Sequence, residues 1–214
     1  MTEVVREIRP SRRRRKRADV ILAGGKVLEL AARLATRLRV GQTLTPSQLE
    51  ALGAEDEVDA AHDRALRLLA RRPRSERELR DDMRRRRLPE RTQAAVLQRL
   101  AEAGLIDDAA FAAAWVENRQ AFRPRSATGL RAELRRKGIG RETVEAALGG
   151  HDESAAAQKA LERAARRWPS ESWDEFRRRA TDYLARRGFD YEIVTRVVRA
   201  AWREAARLES EDSS

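Results

Sequence analysis

From Glu57 onward, apolar residues recur every three to four positions, which is the spacing of amphipathic helices. Glycine and proline in this region fall where such helices should begin or end. A capping box from Ser75 to Glu78 and the acidic pair Asp107-Asp108 mark two helix starts. The pattern predicts helices over residues 58–71, 75–86, 90–103, 108–122, 127–137, 141–148, 153–167, 172–186 and 190–208.

This helical pattern occurs three times with a period near fifty residues. Each unit holds three helices with only a small core, and such units usually gain stability from neighbours in a row. We therefore expect a mainly α protein whose three tandem three-helix repeats form an elongated, curved array. The matching positions are Met83, Leu88, Thr92, Val96 and Leu97, then Leu134, Ile139, Thr143, Ala147 and Leu148, then Leu184, Phe189, Ile193, Val197 and Val198.

The turn between the second and third helix is clearest in the later two repeats. Gly138 and Gly188 each follow a basic helical turn and precede an apolar residue, which is the arrangement of a left-handed helix C-cap. The first repeat has Arg87 at that position. Its turn must therefore either differ or hold a non-glycine residue under some strain.

The first 56 residues follow a different pattern, in which short apolar runs around Gly24-Gly25 favour a β-hairpin. Between its first two strands lies a run of six cations from Arg12 to Arg17, which predicts a solvated loop able to close on phosphates. A mobile, solubilising loop is the alternative. The predicted elements are strands from Val4 to Ile8, Ala18 to Leu22 and Lys26 to Leu28, a helix from Glu29 to Gly41, and a short helix from Thr45-Pro46 through Leu52.

These patterns divide the chain into five segments, and the composition agrees with several small cores. Only 41% of residues are hydrophobic and 37 of them are Ala, which argues against a single large core. Cysteine is absent, which excludes a disulfide framework and thiolate metal sites. The expected segments are an N-terminal extension over 1–56, repeats over 57–104, 105–150 and 151–208, and a disordered tail over 209–214.

The charge balance favours a polyanionic partner. Lys and Arg number 46 against 35 Asp and Glu, which gives a net charge of +11. A composition rich in Ala and Arg is also what a GC-rich genome produces, so the excess charge has a second explanation. The sequence has neither a membrane-spanning apolar run nor the apolar middle of a signal peptide, and we expect a cytoplasmic protein.

The sequence contains almost no residues in an arrangement typical of catalysis. His62 and His151 lie far apart and are expected to be surface histidines of helices, and neither a phosphate-binding Gly-rich loop nor a nucleophile elbow occurs. The pairs Asp81-Asp82 and Asp107-Asp108 are the carboxylates that a magnesium nuclease would use, but a helix start and neighbouring arginines explain them better. We expect no enzyme activity, no cofactor and no metal.

The basic residues recur at the same element of each repeat, near the end of its second helix. In register, they would form a basic stripe that suits a polyanion backbone or an acidic groove on a protein filament. Cations are also favoured at any helix C-terminus, which is a purely structural explanation. The candidate contact residues are Arg12, Arg13, Arg14, Arg15, Lys16, Arg17, Arg84, Arg85, Arg86, Arg87, Arg131, Arg135, Arg136, Lys137, Arg186 and Arg187; Arg177, Arg178 and Arg179 lie on the same element.

Aromatic residues are too few for a row of base-stacking platforms. Phe111 and Trp115, four residues apart on one helix, are expected in the core rather than at a ligand. The other aromatic residues include Trp168, Trp173 and Phe122, and several of the aromatics have the spacing of buried positions on helices. The sequence therefore gives little support for sequence-specific readout of nucleic acid.

The combination of these motifs with the three-fold period resembles the RecX family of recombinase regulators. The front segment, with Val40-Gly41, resembles the N-terminal extension of some members, so the likeness covers nearly the whole chain. Ser126 and Arg87 stand where the family pattern has Gly. The matching residues are Ala65 to Leu69, Arg72, Ser75 to Leu79, Leu97 to Leu100, Gly104 to Asp108, Phe111-Ala112 and Glu133 to Ile139.

The resemblance implies a non-enzymatic modulator of DNA repair and recombination. Such a protein binds the RecA recombinase, lies in the groove of its filament on single-stranded DNA, and inhibits strand exchange and ATP hydrolysis. The expected partners are RecA, single-stranded DNA and also double-stranded DNA, with no membrane, and the expected state is a monomer. The alternative function is a general DNA-binding or transcription-regulating protein built of helical repeats.

Overall fold

The computed structural model describes residues 1–12, 14–168 and 172–211, and it divides into two compact units, Met1–Ile106 and a second from Asp107 onward. Within the described residues, buried hydrophobic side chains form four separate clusters. One cluster belongs to an N-terminal sheet and one to each three-helix repeat. The mainly α class, the three repeats and the absence of one large core are therefore confirmed.

The N-terminal sheet is antiparallel and consists of β1 (Glu3–Pro10), β2 (Arg17–Leu22), β3 (Val27–Ala31) and β4 (Thr43–Leu44). Its strand order is β3-β2-β1-β4. Alternate residues of its strands, among them Val5, Val20 and Leu22, are completely buried on one face, as half-buried strands require. The three expected strands are confirmed, and the fourth, which pairs with the start of β1, was missing from the prediction.

The predicted helix from Glu29 is wrong. Residues 27–31 pair with β2 as a strand, and only α1 (Ala32–Ala35) is helical before a series of turns. Leu30, Leu34 and Leu38 do lie in one cluster, but from a strand, a helical turn and a loop respectively. The ladder with β2 satisfies the backbone groups of this segment, so a four-residue apolar spacing alone did not identify a helix.

One continuous helix, α2 (Pro46–Leu69), replaces the predicted short helix through Leu52 and the helix over 58–71. Thr45 caps it, with Gln48 completing a capping box. Its first half packs on the sheet through Leu49 and Leu52, and its second half packs on the core of the first repeat. Packing on both halves outweighs the cost of about 1 kcal/mol for Gly53 in the helix interior, so the expected division at 56/57 falls inside one helix.

The first repeat is completed by α3 (Glu76–Arg85) and α4 (Glu90–Glu102). Ser75 and Glu78 form the expected capping box at the start of α3. Leu79 and Met83 of α3 then pack against Val96 and Leu100 of α4 in the repeat core. Both helices lie within two residues of their predicted bounds.

The second unit contains the other two repeats, each again with three helices. Asp107 caps the first of these helices by accepting from the N–H groups of Ala109 and Ala110, as expected. The last helix continues to Glu211, so residues 209–211 of the expected tail are helical, because good helix formers run on without Gly or Pro; residues 212–214 lie outside the described residues. The helices are α5 (Asp108–Phe122), α6 (Ala127–Arg136), α7 (Arg141–Leu148), α8 (Glu153–Ala165), α9 (Trp173–Ala185) and α10 (Tyr191–Glu211).

One equivalent position of the second helix makes a different set of contacts in each repeat. Asp82 accepts two hydrogen bonds from Arg64, at 2.7 and 3.0 Å. Glu133, 51 residues later, is 8% exposed at its side chain and accepts from Trp115 Nε1. Tyr183, 50 residues further, packs edge-on against Trp168, with ring centroids 5.9 Å apart. The repeats therefore share a fold and differ in the polarity of this contact.

In the part of the chain that the structure describes, no helix is both long and apolar enough to cross a bilayer.

Candidate nucleic-acid interface

The turns between the second and third helix have one backbone geometry in all three repeats. In each, one residue has a positive φ: 59° for Arg87, 86° for Gly138 and 86° for Gly188. The following residue, Leu88, Ile139 or Phe189, donates its N–H to the carbonyl oxygen five residues before it, at 3.1 to 3.3 Å. This six-to-one bond is the Schellman cap, so of the two alternatives for the first repeat, the strained non-glycine residue is the one found.

The turn of the first repeat presents four exposed arginines, Arg84 to Arg87. Arg84 approaches Asp81 at 3.9 Å and Arg85 approaches Asp82 at 3.7 Å. Exposed pairs of this length contribute little to stability. Arg86 and Arg87 make no ion pair within 4 Å in the described part of the chain, so this turn keeps most of its positive charge available.

The second repeat separates its predicted contact residues into two groups. Arg135 and Arg136 are exposed and form no ion pair within 4 Å among the described residues. Lys137 instead lies over the Trp115 ring, with Nζ 4.9 Å from the centroid. Arg131 is bound in a fork to Glu145 of α7 at 2.9 Å, a contact that raises the pKa of Arg131 and lowers that of Glu145. Only the first pair is available to a ligand without loss of an internal contact.

Behind these two arginines lies the buried carboxylate of Glu133. It accepts from Arg119 Nε and Trp115 Nε1 at 2.8 Å each and pairs with Arg125 at 2.8 Å. Burial alone would raise the pKa of Glu133, but the hydrogen bonds from Arg119 and Trp115 and the two positive charges lower it below its usual value. Glu133 therefore stays ionised and fixes α6 to α5 and to the segment between the two helices.

The turn of the third repeat lies at the beginning of α6. Ser126 donates its N–H to the carbonyl oxygen of Arg187 at 3.3 Å. Because α6 has ten residues, this turn and the Arg135-Arg136 pair lie at opposite ends of a helix about 15 Å long. Arg186 is exposed, whereas Arg187 lies over the Tyr183 ring at 3.6 Å.

The basic loop of the N-terminal unit is only partly available. Arg12, Arg14, Arg15 and Lys16 are exposed, and Arg13 lies outside the described residues. Arg17 instead binds Asp56 of α2 through both terminal nitrogens at 2.9 Å, so it anchors the sheet to the helix. Arg14 and Arg86 line one groove on this unit, together with Arg64 and Arg67. The structure thus brings the loop and the first basic turn together.

A second basic surface was missed by the sequence reasoning. A groove of about 390 Å³ in the second unit is lined by Phe122, Arg123, Arg163, Arg167, Trp168, Tyr183 and Arg187. Phe122 is 71% exposed, in contrast to the buried spacing expected for several aromatics. Its position as the last residue of α5, next to Arg123-Pro124, was the available signal. Phe111 and Trp115 do pack in the core as predicted, with ring centroids 5.8 Å apart.

The acidic pairs have structural partners. Asp81 lies 3.8 Å from Arg77, Asp82 binds Arg64, and Asp107 caps α5. His62 lies on α2, whereas His151 precedes α8, with its Nδ1 3.0 Å from Gln120 Nε2, so His151 is not the helical residue expected. Among the described residues, no three His, Asp or Glu side chains are grouped as a metal site.

Three family models match this chain. They are the first, second and third three-helix domains of RecX, over residues 61–100, 107–148 and 151–198. Each range falls on one of the three repeats described above. All three basic turns therefore lie within matched segments.

Curated relatives and solved structures agree with these matches. Regulatory protein RecX of Thermobifida fusca is 39% identical over 148 residues, 68% of this chain and 80% of the relative, and that of Streptomyces lividans is 38% identical over 152 residues, 70% and 81%. A crystal structure of regulatory protein RecX has a TM-score of 0.69 at 24% identity, covering 91% of this chain and 98% of its own. RecX from Lactobacillus salivarius has a TM-score of 0.58 at 21% identity, covering 68% and 97%. The two structures show the shared fold.

Proposed function

The chain belongs to the RecX family, and from that premise we propose that it regulates homologous recombination by binding the RecA recombinase and its filament on single-stranded DNA. Binding lowers ATP hydrolysis and strand exchange by the filament. The protein contributes contacts and performs no chemistry of its own. Its partners are RecA and DNA, and it acts in the cytoplasm as a monomer.

The observation that carries this proposal is the repeated basic turn. Arg85, Arg136 and Arg186 occupy the same place in three turns of one backbone geometry, and all three side chains are exposed. Exposed cations that recur at the equivalent place of each repeat suit a negatively charged partner, such as a filament on DNA. The groove lined by Arg14, Arg64, Arg67 and Arg86 adds a further basic surface on the first unit.

The test is ATP hydrolysis by the cognate RecA on single-stranded DNA, with this protein added well below the number of DNA-binding sites. We expect inhibition at these low amounts, because action on a filament needs few molecules per filament. Inhibition only after the protein saturates the DNA would mean competition for DNA. The general DNA-binding function would then replace the proposal.

A direct measurement of RecA binding completes the test. Labelled protein is titrated with single-stranded DNA alone, with RecA without DNA, and with RecA filaments on single-stranded DNA. We expect tighter binding to the filament than to naked DNA at the same salt concentration. Equal affinities would contradict a specific contact with the recombinase.

A further inference from the structure

We propose that the groove formed by the end of α5, α8 and the end of α9 is a binding site for single-stranded nucleic acid, in which an unpaired base stacks on Phe122 while arginines hold the backbone phosphates. We call it the Phe122 groove. The inference rests on the proposed function only for its choice of nucleic acid over other polyanions. It is separate from the exposed pair Arg135-Arg136, which does not line this groove.

The groove has the charge that a phosphate backbone needs. Four arginines line it, Arg123, Arg163, Arg167 and Arg187, and none of the described lining residues is acidic. Each arginine also lacks an ion pair within 4 Å in the described residues, whereas Arg17, Arg64, Arg119 and Arg131 are all bound to carboxylates. A polyanion entering the groove would therefore displace no carboxylate from these arginines.

Arg187 shows that the positive charge in this groove is unbalanced. It is half-buried, and among the described residues its guanidinium donates only a long hydrogen bond to the Tyr183 carbonyl oxygen at 3.4 Å, besides its contact with the ring. Burial, with the repulsion of Arg125 and Arg186, lowers the pKa of Arg187. A bound phosphate would offset both effects.

The groove also has the aromatic surface that an unpaired base needs. Phe122 is 71% exposed, although burial of a Phe side chain would be favourable, and it has no ring partner among the described aromatics. Trp168 and Tyr183 form the floor through their edge-on contact, and Arg187 covers the Tyr183 face. Exposed aromatic faces beside cations are the features by which proteins bind single strands without reading their sequence.

The experiment uses the full chain, without RecA, and two fluorescent oligonucleotides of equal length, oligothymidylate and its abasic counterpart. We expect Phe122→Ala to weaken binding of oligothymidylate by about 5- to 150-fold, the range for loss of one stacking aromatic. The abasic strand should bind the variant and the unchanged protein equally, because it offers no base. Phe122→Tyr should restore binding.

Two sets of variants separate stacking from charge. Arg163→Ala and Arg167→Ala should weaken both strands and each reduce the salt dependence by about 0.7 log units per log unit of salt. Tyr191→Ala removes another exposed aromatic, 78% exposed, that lies outside the groove, and it should change nothing. Phe122 is largely exposed, so the fold should survive, which circular dichroism checks.

Unchanged oligothymidylate binding by Phe122→Ala would overturn the proposal. An equal loss of affinity for the abasic strand in Phe122→Ala would also overturn it. So would polyglutamate binding that depends on Phe122 and is as strong as the binding of oligothymidylate. Failure here is distinct from failure of the proposed function. If the protein inhibits RecA but Phe122 binds no base, only the proposal for the Phe122 groove is refuted. If the groove binds the strand but the protein does not inhibit RecA, only the proposed function is refuted.

Discussion

A Cβ atom built on Gly188 would lie 2.6 Å from Ser126 Oγ, closer than two such atoms can approach. Gly188 belongs to the turn of the third repeat, and Ser126 caps α6 of the second by accepting from the Gly129 N–H. Gly129 is also tightly placed, since its own Cβ would lie 3.1 Å from the Arg187 carbonyl oxygen. The second and third repeats therefore meet closely at these two glycines.

Gly188→Ala should destabilise the second unit by more than the about 1–2 kcal/mol that a left-handed alanine costs, because the new methyl also meets Ser126. Urea unfolding followed by circular dichroism measures the loss. Gly104→Ala is the matched control, with a φ of 64° and open space around its Cβ position. Ser126→Gly combined with Gly188→Ala should recover part of the loss, and no recovery would contradict the contact.

Arg87→Gly should stabilise the protein by about 1 kcal/mol, because glycine adopts a φ of 59° without strain. Arg86→Gly is the control, since it removes the same charge one residue earlier, where φ is −89°. That variant should lose about 0.5–1 kcal/mol from the greater backbone freedom of glycine. Thermal unfolding of both variants checks the difference, and equal shifts of the midpoint would argue against strain at Arg87.

Glu133→Gln should cost about 2 kcal/mol, less than the roughly 3–5 kcal/mol of a fully buried broken pair because Arg125 is 40% exposed. Its pKa is lowered in the folded state, so the stabilisation is complete above the ordinary glutamate value of about 4.3 and is lost as the pH falls through the lower folded value. The difference between the two proteins should thus shrink on acidification.

Urea unfolding at a series of pH values measures this difference. Glu145→Gln is the control, because its pair with Arg131 is exposed and should contribute less. A difference for Glu133→Gln that grows towards low pH would show that the sign is wrong. Equal losses for both variants would show that the burial of Glu133 adds nothing to the stabilisation from its ion pairs.

Charge reversal by Arg135→Glu with Arg136→Glu should weaken inhibition of RecA roughly tenfold, as expected for two exposed pairs of up to about 1 kcal/mol each. Lys137 is left unchanged because it packs on Trp115. Arg196→Glu with Arg203→Glu on α10 gives the same change of net charge at exposed positions elsewhere. Inhibition that is unchanged, with unchanged helicity, would exclude this pair from the mechanism.

Most of the repeat architecture could be predicted because its signals are local. The Ser75 capping box, the Asp107 cap and the Gly138 turn each satisfy backbone groups within a few residues. The N-terminal unit depends on distant pairing, and there prediction failed. Residues 27–31 are strand because β2 lies beside them, and α2 continues past Gly53 because two cores cover its two halves.

The candidate surface, too, could be predicted only in part. The sequence located the basic residues but did not distinguish Arg136, which is exposed, from Arg131, which is bound to Glu145 fourteen residues away. Nor did it identify Phe122 as exposed, because its surroundings come from α8 and α9.

By itself the sequence determined the family, the three-helix repeats and the positive charge, since caps, apolar period and composition act within a few residues of chain. Only the tertiary structure decided which arginines have carboxylate partners, and it alone brought Phe122, Arg163 and Arg187 into one groove. Side-chain partners and exposure depend on residues far apart in sequence, and only packing sets those distances.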